Sequence, residues 1–166
     1  MKPAPLQLTD YFITKLNLEA NQKYDPEGKV DADLDTIEVA NKVEHFDFSE
    51  DGGSTWRVIM VIKQTIPKGR NIPYKFELEL QGEVYAFSII DKTRLETVVK
   101  ANAPAMLFGA AREIIRAATG RGPYPAVVIP STNFLSPPKK KTAKRVTTKK
   151  RVAQKPVTKK ATRKKS

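Results

Sequence analysis

Apolar and polar residues alternate along the first ninety or so positions, and a helical period then takes over. Between Leu6 and Ala20, Leu6, Leu8, Phe12, Leu16 and Leu18 fall at even spacing with mostly polar residues between them, which predicts a first strand. Pro26 and Gly28 then break the chain into a loop. Residues 33–48 predict a second strand. In it Ile37, Val39 and Val43 share one parity while Phe46 and Phe48 take the other, the mark of a bulge or an element end. Gly52 and Gly53 read as the centre of a hairpin connection. Residues 56–65 are apolar and β-branched on both parities, which predicts a strand covered on both faces. After a loop at Pro67-Lys68-Gly69, Tyr74, Phe76, Leu78 and Leu80 alternate with Lys75, Glu77, Glu79 and Gln81, so one face should be buried and the other wet. Gly82 reads as an interruption, beyond which residues 84–90 continue the strand.

From Thr93 the spacing is helical. Thr93 and Glu96 have capping-box spacing, and Leu95, Val98 and Val99 share a face. Pro104 lacks an amide hydrogen and its ring crowds the preceding turn, so the pattern predicts a break there and a second helix beginning at that residue. Leu107, Ala111, Ile114, Ile115 and Ala118 form the apolar stripe of that second helix, and Gly120-Arg121-Gly122 ends it. Residues 123–130, with Pro123, Pro125 and Pro130, suit an extended segment lying over the body. Four strands followed by helices predict an α+β fold, a four-stranded antiparallel sheet with helices packed on one face.

Charge divides the chain in two. Of 30 Lys and Arg, 14 lie in residues 139–166, which contain no Asp or Glu; residues 1–138 carry the other 16 against all 18 acidic residues. A folded domain over residues 1–138 is therefore mildly acidic, and the +12 of the whole chain comes from the tail. Low hydrophobicity and self-repulsion predict that residues 139–166 stay unfolded, with Lys139, Lys140, Lys141, Lys149, Lys150 and Arg151 among the groups open to anionic partners. The absence of cysteine excludes disulfides and Cys-ligated metal. His45 is the only histidine, so no His cluster can form, and no loop has phosphate-cradling spacing. Glu77 and Glu79 share a face as paired catalytic carboxylates do, but a solvated sheet face is the better account of them, with a partner-docking patch next. No enzyme, cofactor or metal site is expected. No run of signal-peptide or membrane-span length is present, so a soluble, intracellular protein is expected.

Residues 102–134 carry a more specific pattern. Pro104 precedes the block Leu107-Phe108-Gly109-Ala110-Ala111-Arg112-Glu113-Ile114-Ile115; then come Arg121-Gly122-Pro123-Tyr124-Pro125 and the closing Pro130-Ser131-Thr132-Asn133-Phe134. This resembles the SecB family of protein-export chaperones, whose members show a Leu-Phe-Pro-Tyr-Ala-Arg-Glu block, Arg-Gly-x-aromatic-Pro, and an apolar run ending in Asn-Phe. With the order of four strands and Leu18-Glu19-Ala20, the resemblance covers about residues 6–134. It implies a cytoplasmic holdase that binds unfolded preproteins without ATP, assembles as a dimer of dimers and hands clients to the SecA motor ATPase. The client surface it implies would draw on Tyr85, Phe87, Leu107, Phe108, Tyr124 and Val127. SecA docking would fall to the acidic sheet face at Glu19, Glu77 and Glu79. The chain departs from the family at three places: Lys15 stands where an acidic residue is expected, Gly109-Ala110 replaces Pro-Tyr, and Leu135-Ser136-Pro137-Pro138 with the Lys-rich tail replaces a C-terminal helix.

Two other readings remain open at this level. The chain could be a nucleic-acid-associated protein acting through its tail, which would bind RNA or anionic lipid with steep salt dependence. It could equally be a SecB-like chaperone dedicated to a toxin–antitoxin system.

Overall fold

A computed structural model describes residues 4–31, 34–50 and 52–134. The predicted tail, with Lys139, Lys140, Lys141, Lys149, Lys150 and Arg151, lies outside the described residues. Four strands, β1 (Leu6–Ala20), β2 (Ile37–Phe48), β3 (Ser54–Gln64) and β4 (Tyr74–Ala86), precede one helix, α1 (Lys92–Thr119). The strands form an antiparallel sheet in the order β1-β4-β3-β2. The β2–β3 hairpin closes through Gly52, whose φ of 81° favours a residue without a Cβ.

The core lies between one face of the sheet and α1. Trp56, Val58, Met60 and Ile62 of β3 point to this face with Phe76, Leu78, Leu80 and Val84 of β4, all buried. Opposite them, Val99, Ala103, Leu107, Ala111, Ile115 and Thr119 recur at every fourth position of α1 and are all buried. This stripe explains why Pro104 does not divide the helix as the sequence predicts. Burial of apolar surface on both sides of the proline, at about 25 cal/mol per Å², outweighs the lost backbone hydrogen bond. Pro104 is itself buried.

The N-terminus of α1 also differs from expectation. Asp91, not Thr93, is the N-cap: its carboxylate accepts from the Thr93 amide and hydroxyl, both at 2.8 Å. Glu96 pairs with Lys100 one turn on, rather than reaching back. Gly82 does not interrupt β4, which runs unbroken through it with Tyr11 and Val58 as neighbours. A Cβ there would come within 2.9 Å of Leu107 Cδ1 and 3.2 Å of Leu8 Cδ1, so the glycine serves the close approach of helix to sheet.

Register corrects two further expectations. In β1, shifts between Leu8 and Asp10 and between Ile13 and Lys15 move the parity twice. Leu6, Leu8, Tyr11, Ile13, Leu16 and Leu18 consequently pair with inward residues of β4, whereas Phe12 pairs with the outward Gln81. In β3, Arg57, Ile59 and Val61 face away from α1 and are only partly buried, so the strand is covered on one face, not two. The parity switch expected in β2 is present as a shift between His45 and Asp47.

Candidate functional site

Residues 123–134 carry no regular structure, yet they are held at several points. The Arg112 guanidinium donates from Nε to the Ile129 carbonyl at 2.5 Å and from Nη1 to Ser131 Oγ at 3.2 Å. Val127 N–H donates to the buried Thr119 hydroxyl at 2.9 Å. Phe134 packs edge-on against Phe108, with ring centroids 5.5 Å apart. The Arg112, Pro125 and Asn133-Phe134 blocks therefore belong to one arrangement, a strap running back along the helix.

The strap is joined to the sheet by the Tyr74 hydroxyl, which is almost wholly buried. Its oxygen accepts the Tyr124 N–H at 2.9 Å. Its single proton faces both the Thr119 carbonyl at 3.0 Å and the Tyr124 carbonyl at 2.9 Å. Gly122 passes so close that a Cβ would sit 2.5 Å from this oxygen. Tyr24, from the loop after β1, packs on Tyr124 with centroids 4.7 Å apart, and Tyr124 meets Tyr74 at 5.8 Å. That loop is fixed in turn by Asn21, whose amide groups donate to the carbonyls of Pro73 and Ile72, both at 2.8 Å. Asn71 binds it from the other side through Asp25 and Asp31.

Between loop, strand ends and strap lies a cavity of about 150 Å³ whose apolar wall includes Tyr24, Val30, Ile37, Ile72 and Val127. Val30 is 43% exposed and Val128 66%, so apolar surface continues from the cavity onto the rim. Among the described residues no group of His, Cys, Asp and Glu could hold a metal ion. His45 lies on the exposed surface of β2 beside Phe48 and Trp56, with centroids 4.1 and 5.0 Å away.

The six residues expected to form a client surface do not come together. Val127 borders the cavity just described, and Tyr124 packs on Tyr24 beside it. Tyr85 and Phe87 lie towards the other end of β4, in mutual contact at 5.0 Å, partly exposed. Leu107 and Phe108 point into the core of the described chain, at 0% and 4% exposure. Tyr24, Val30, Ile37 and Ile72 were not readable as site residues, because a lone tyrosine in a Pro/Gly loop gives no periodic signal.

Glu19, Glu77 and Glu79 share the sheet face opposite α1, as the alternation of β4 predicts. Lys15 at 3.1 Å and Lys63 at 3.2 Å clasp Glu77 from either side. Those ammonium groups, Lys15 foremost, hold its carboxyl below the ordinary carboxylate range. Glu79 accepts from the Thr14 hydroxyl at 2.9 Å, and Glu19 faces Lys75 at 3.6 Å.

A family model described as "Preprotein translocase subunit SecB" matches residues 3–144. The chain belongs to the SecB family. The Protein-export protein SecB of Marinomonas sp. (strain MWYL1) is 31% identical over 83 residues, half of this chain and 52% of that SecB. The SecB of Azotobacter vinelandii is 24% identical over 136 residues, 79% of this chain and 77% of its own. The first of these matches thus spans about half the length of the relative. Among solved structures, a protein of unknown function from Streptococcus agalactiae aligns with a TM-score of 0.49 at 10% identity, over 75% of this chain and 96% of its own. The Mycobacterium tuberculosis Rv1957 SecB-like chaperone, in complex with a ChAD peptide from the Rv1956 HigA1 antitoxin, aligns at 0.41 and 12%, over 76% and 89%. In the structure the Arg112–Glu113 block lies on α1 and anchors the strap that ends in Asn133–Phe134. Among the described residues, no helix is long and apolar enough to cross a membrane.

Proposed function

We propose that this SecB-family chain is an ATP-independent holdase that binds unfolded polypeptide for Sec-dependent export. The observation carrying this reading is the largely apolar cavity under the strap, open to an exposed apolar rim at Val30 and Val128. Apolar surface left in contact with water is what capture of an unfolded chain requires, and it needs no catalytic group. Tyr124 and Val127 serve this surface directly, with Tyr85 and Phe87 as a second apolar contact along the same client. Leu107, against Gly82, and Phe108, against Phe134, are core residues that back the sheet and the strap.

The protein works in the cytoplasm as a self-assembled dimer of dimers. Support for self-association comes from β1, an edge strand on which Tyr11, Phe12, Ile13 and Leu16 are all exposed. The face bearing Glu19, Glu77 and Glu79 receives the SecA motor, and the internal ion pairs to Lys15, Lys63 and Lys75 weaken that contact. The Lys-rich residues 139–166 add a salt-sensitive contact to RNA or anionic lipid.

The test is light scattering. A chemically denatured client is diluted into buffer with the full chain and no nucleotide. Suppressed aggregation at stoichiometric ratios is the expected result. A folded, oligomeric protein that leaves the scattering curve unchanged overturns the holdase reading.

A further inference from the structure

The loop after β1 serves two different hollows. Tyr24 and Val30 line the apolar cavity under the strap, while Lys23 and Lys29 border a separate hollow of about 580 Å³. The loop joining β3 to β4 forms its other wall, with Ile66, Pro67, Lys68 and Arg70. The four basic residues around it are all exposed, two from each loop. Asp25 is the one carboxylate on the wall, and it accepts the Glu27 N–H at 3.0 Å. Nearby Asp31 accepts the Asn71 N–H at 2.8 Å and faces Arg70 at 3.9 Å. These acids are engaged in holding the loops and leave the lysines uncompensated.

Elsewhere on the described body the lysines are treated differently. Lys15, Lys42, Lys63, Lys75 and Lys100 each pair with a Glu carboxylate. Of the four described lysines that pair with none, three are Lys23, Lys29 and Lys68. Ammonium groups gathered around one hollow without counter-charge raise a local positive potential that draws polyanions.

Shape narrows the choice of polyanion. The volume is too large for one inorganic ion and falls within the roughly 300–1,000 Å³ of sites that enclose organic groups. A bilayer presents its headgroups as a flat layer, which cannot follow the wall down to Ile66 and Pro67. A single nucleic-acid strand can. Its phosphates stay with the ammonium groups while a ribose or base rests on that carbon surface.

We propose that this hollow holds the phosphate backbone of single-stranded RNA, with Lys23, Lys29 and Lys68 each neutralising one phosphate. The inference rests on the RNA contact proposed for the tail and deepens it, giving that contact a site on the folded body. Residues 139–166 add 14 cations to the same chain, so a strand held in the hollow meets them at high effective concentration. Contacts to phosphate carry no sequence information, so the site accepts RNA of any sequence.

The test uses the full-length protein and a fluorescein-labelled oligo(U) of about 20 nucleotides, read by fluorescence anisotropy between about 25 and 200 mM KCl. For single strands each phosphate contact contributes about −0.7 to the slope of log K against log salt. The triple variant Lys23→Gln, Lys29→Gln, Lys68→Gln should therefore give a slope shallower by about 2, with weaker binding at the lowest salt. A control triple, Lys92→Gln, Arg94→Gln, Lys100→Gln, removes as much charge at the start of α1 and should keep the original slope. Circular dichroism checks that both fold; should the first triple misfold, Lys68→Gln alone should make the slope shallower by about 0.7. An unchanged slope in the hollow variant, or equal losses in both triples, overturns the inference and leaves RNA binding to the tail. If the unaltered protein binds no RNA, the tail reading falls with it. Loss of binding to phosphatidylglycerol vesicles with the RNA slope unchanged marks a headgroup site instead, and overturns the inference as well.

Discussion

Single atoms decide how tightly the strap is held, and Tyr74 is the clearest case. Replacing it with Phe leaves the Tyr124 N–H and one of two carbonyls without a partner in a dry site. The expected cost is about 1–3 kcal/mol of unfolding free energy, measured by urea titration, with faster hydrogen exchange confined to residues 123–130. Gly82 sets the opposite constraint, since any side chain there pushes on Leu107 and Leu8. Gly82→Val should destabilise by about 1–3 kcal/mol through overpacking. Neither role was legible beforehand. The glycine looked like a strand break because its reason lies in a helix twenty-five positions away, and Tyr74 reads only as one more inward residue of an alternating strand. The extended course of residues 123–130 was legible, because Pro123, Pro125 and Pro130 exclude a helix there.

Among the elements, the strand boundaries followed the hydrophobic pattern closely, and so did the faces of β4, while those of β1 and β3 did not. In β1 the residues at even spacing predict one buried stripe, yet the shifts after Leu8 and Ile13 turn Phe12 outward and Tyr11 inward. Nothing in the side chains marks such a shift, since Thr9 and Thr14 are ordinary strand residues. The helix was misread at Pro104 because local propensity was weighed against a break, when the four-residue spacing from Val99 to Thr119 already ran straight across it. Its cap has a pH signature. Hydrogen bonds from the Thr93 amide and hydroxyl hold the Asp91 carboxyl below its ordinary value. A depressed carboxylate contributes stability that is present above its unfolded pKa and is lost as pH falls through the lower folded value. Thermal unfolding followed by circular dichroism should thus show the melting temperature falling in acid, below about pH 4. In Asp91→Asn that fall should be shallower, with Glu77 and Glu96, both also held low by lysines, accounting for the remainder.

At the scale of the whole molecule, the sheet leaves β1 open along its edge with apolar side chains on both faces. An Ile13→Asp, Leu16→Asp double variant should reduce the mass measured by light scattering after size exclusion by at least one association step. Its circular dichroism should be unchanged, because both side chains lie outside the core. The cavity under the strap belongs to this scale too, and its construction has a kinetic consequence. The Tyr74 hydroxyl bonds to groups 45 and 50 residues further along the chain. Those bonds can close only after β4 is paired and α1 has docked, so they are absent from the transition state for folding. Tyr74→Phe should then leave the refolding rate unchanged and raise the unfolding rate roughly five- to hundredfold. A newly made chain would consequently complete its apolar cavity last, after its own strands and helix no longer present unfolded segments that could occupy it.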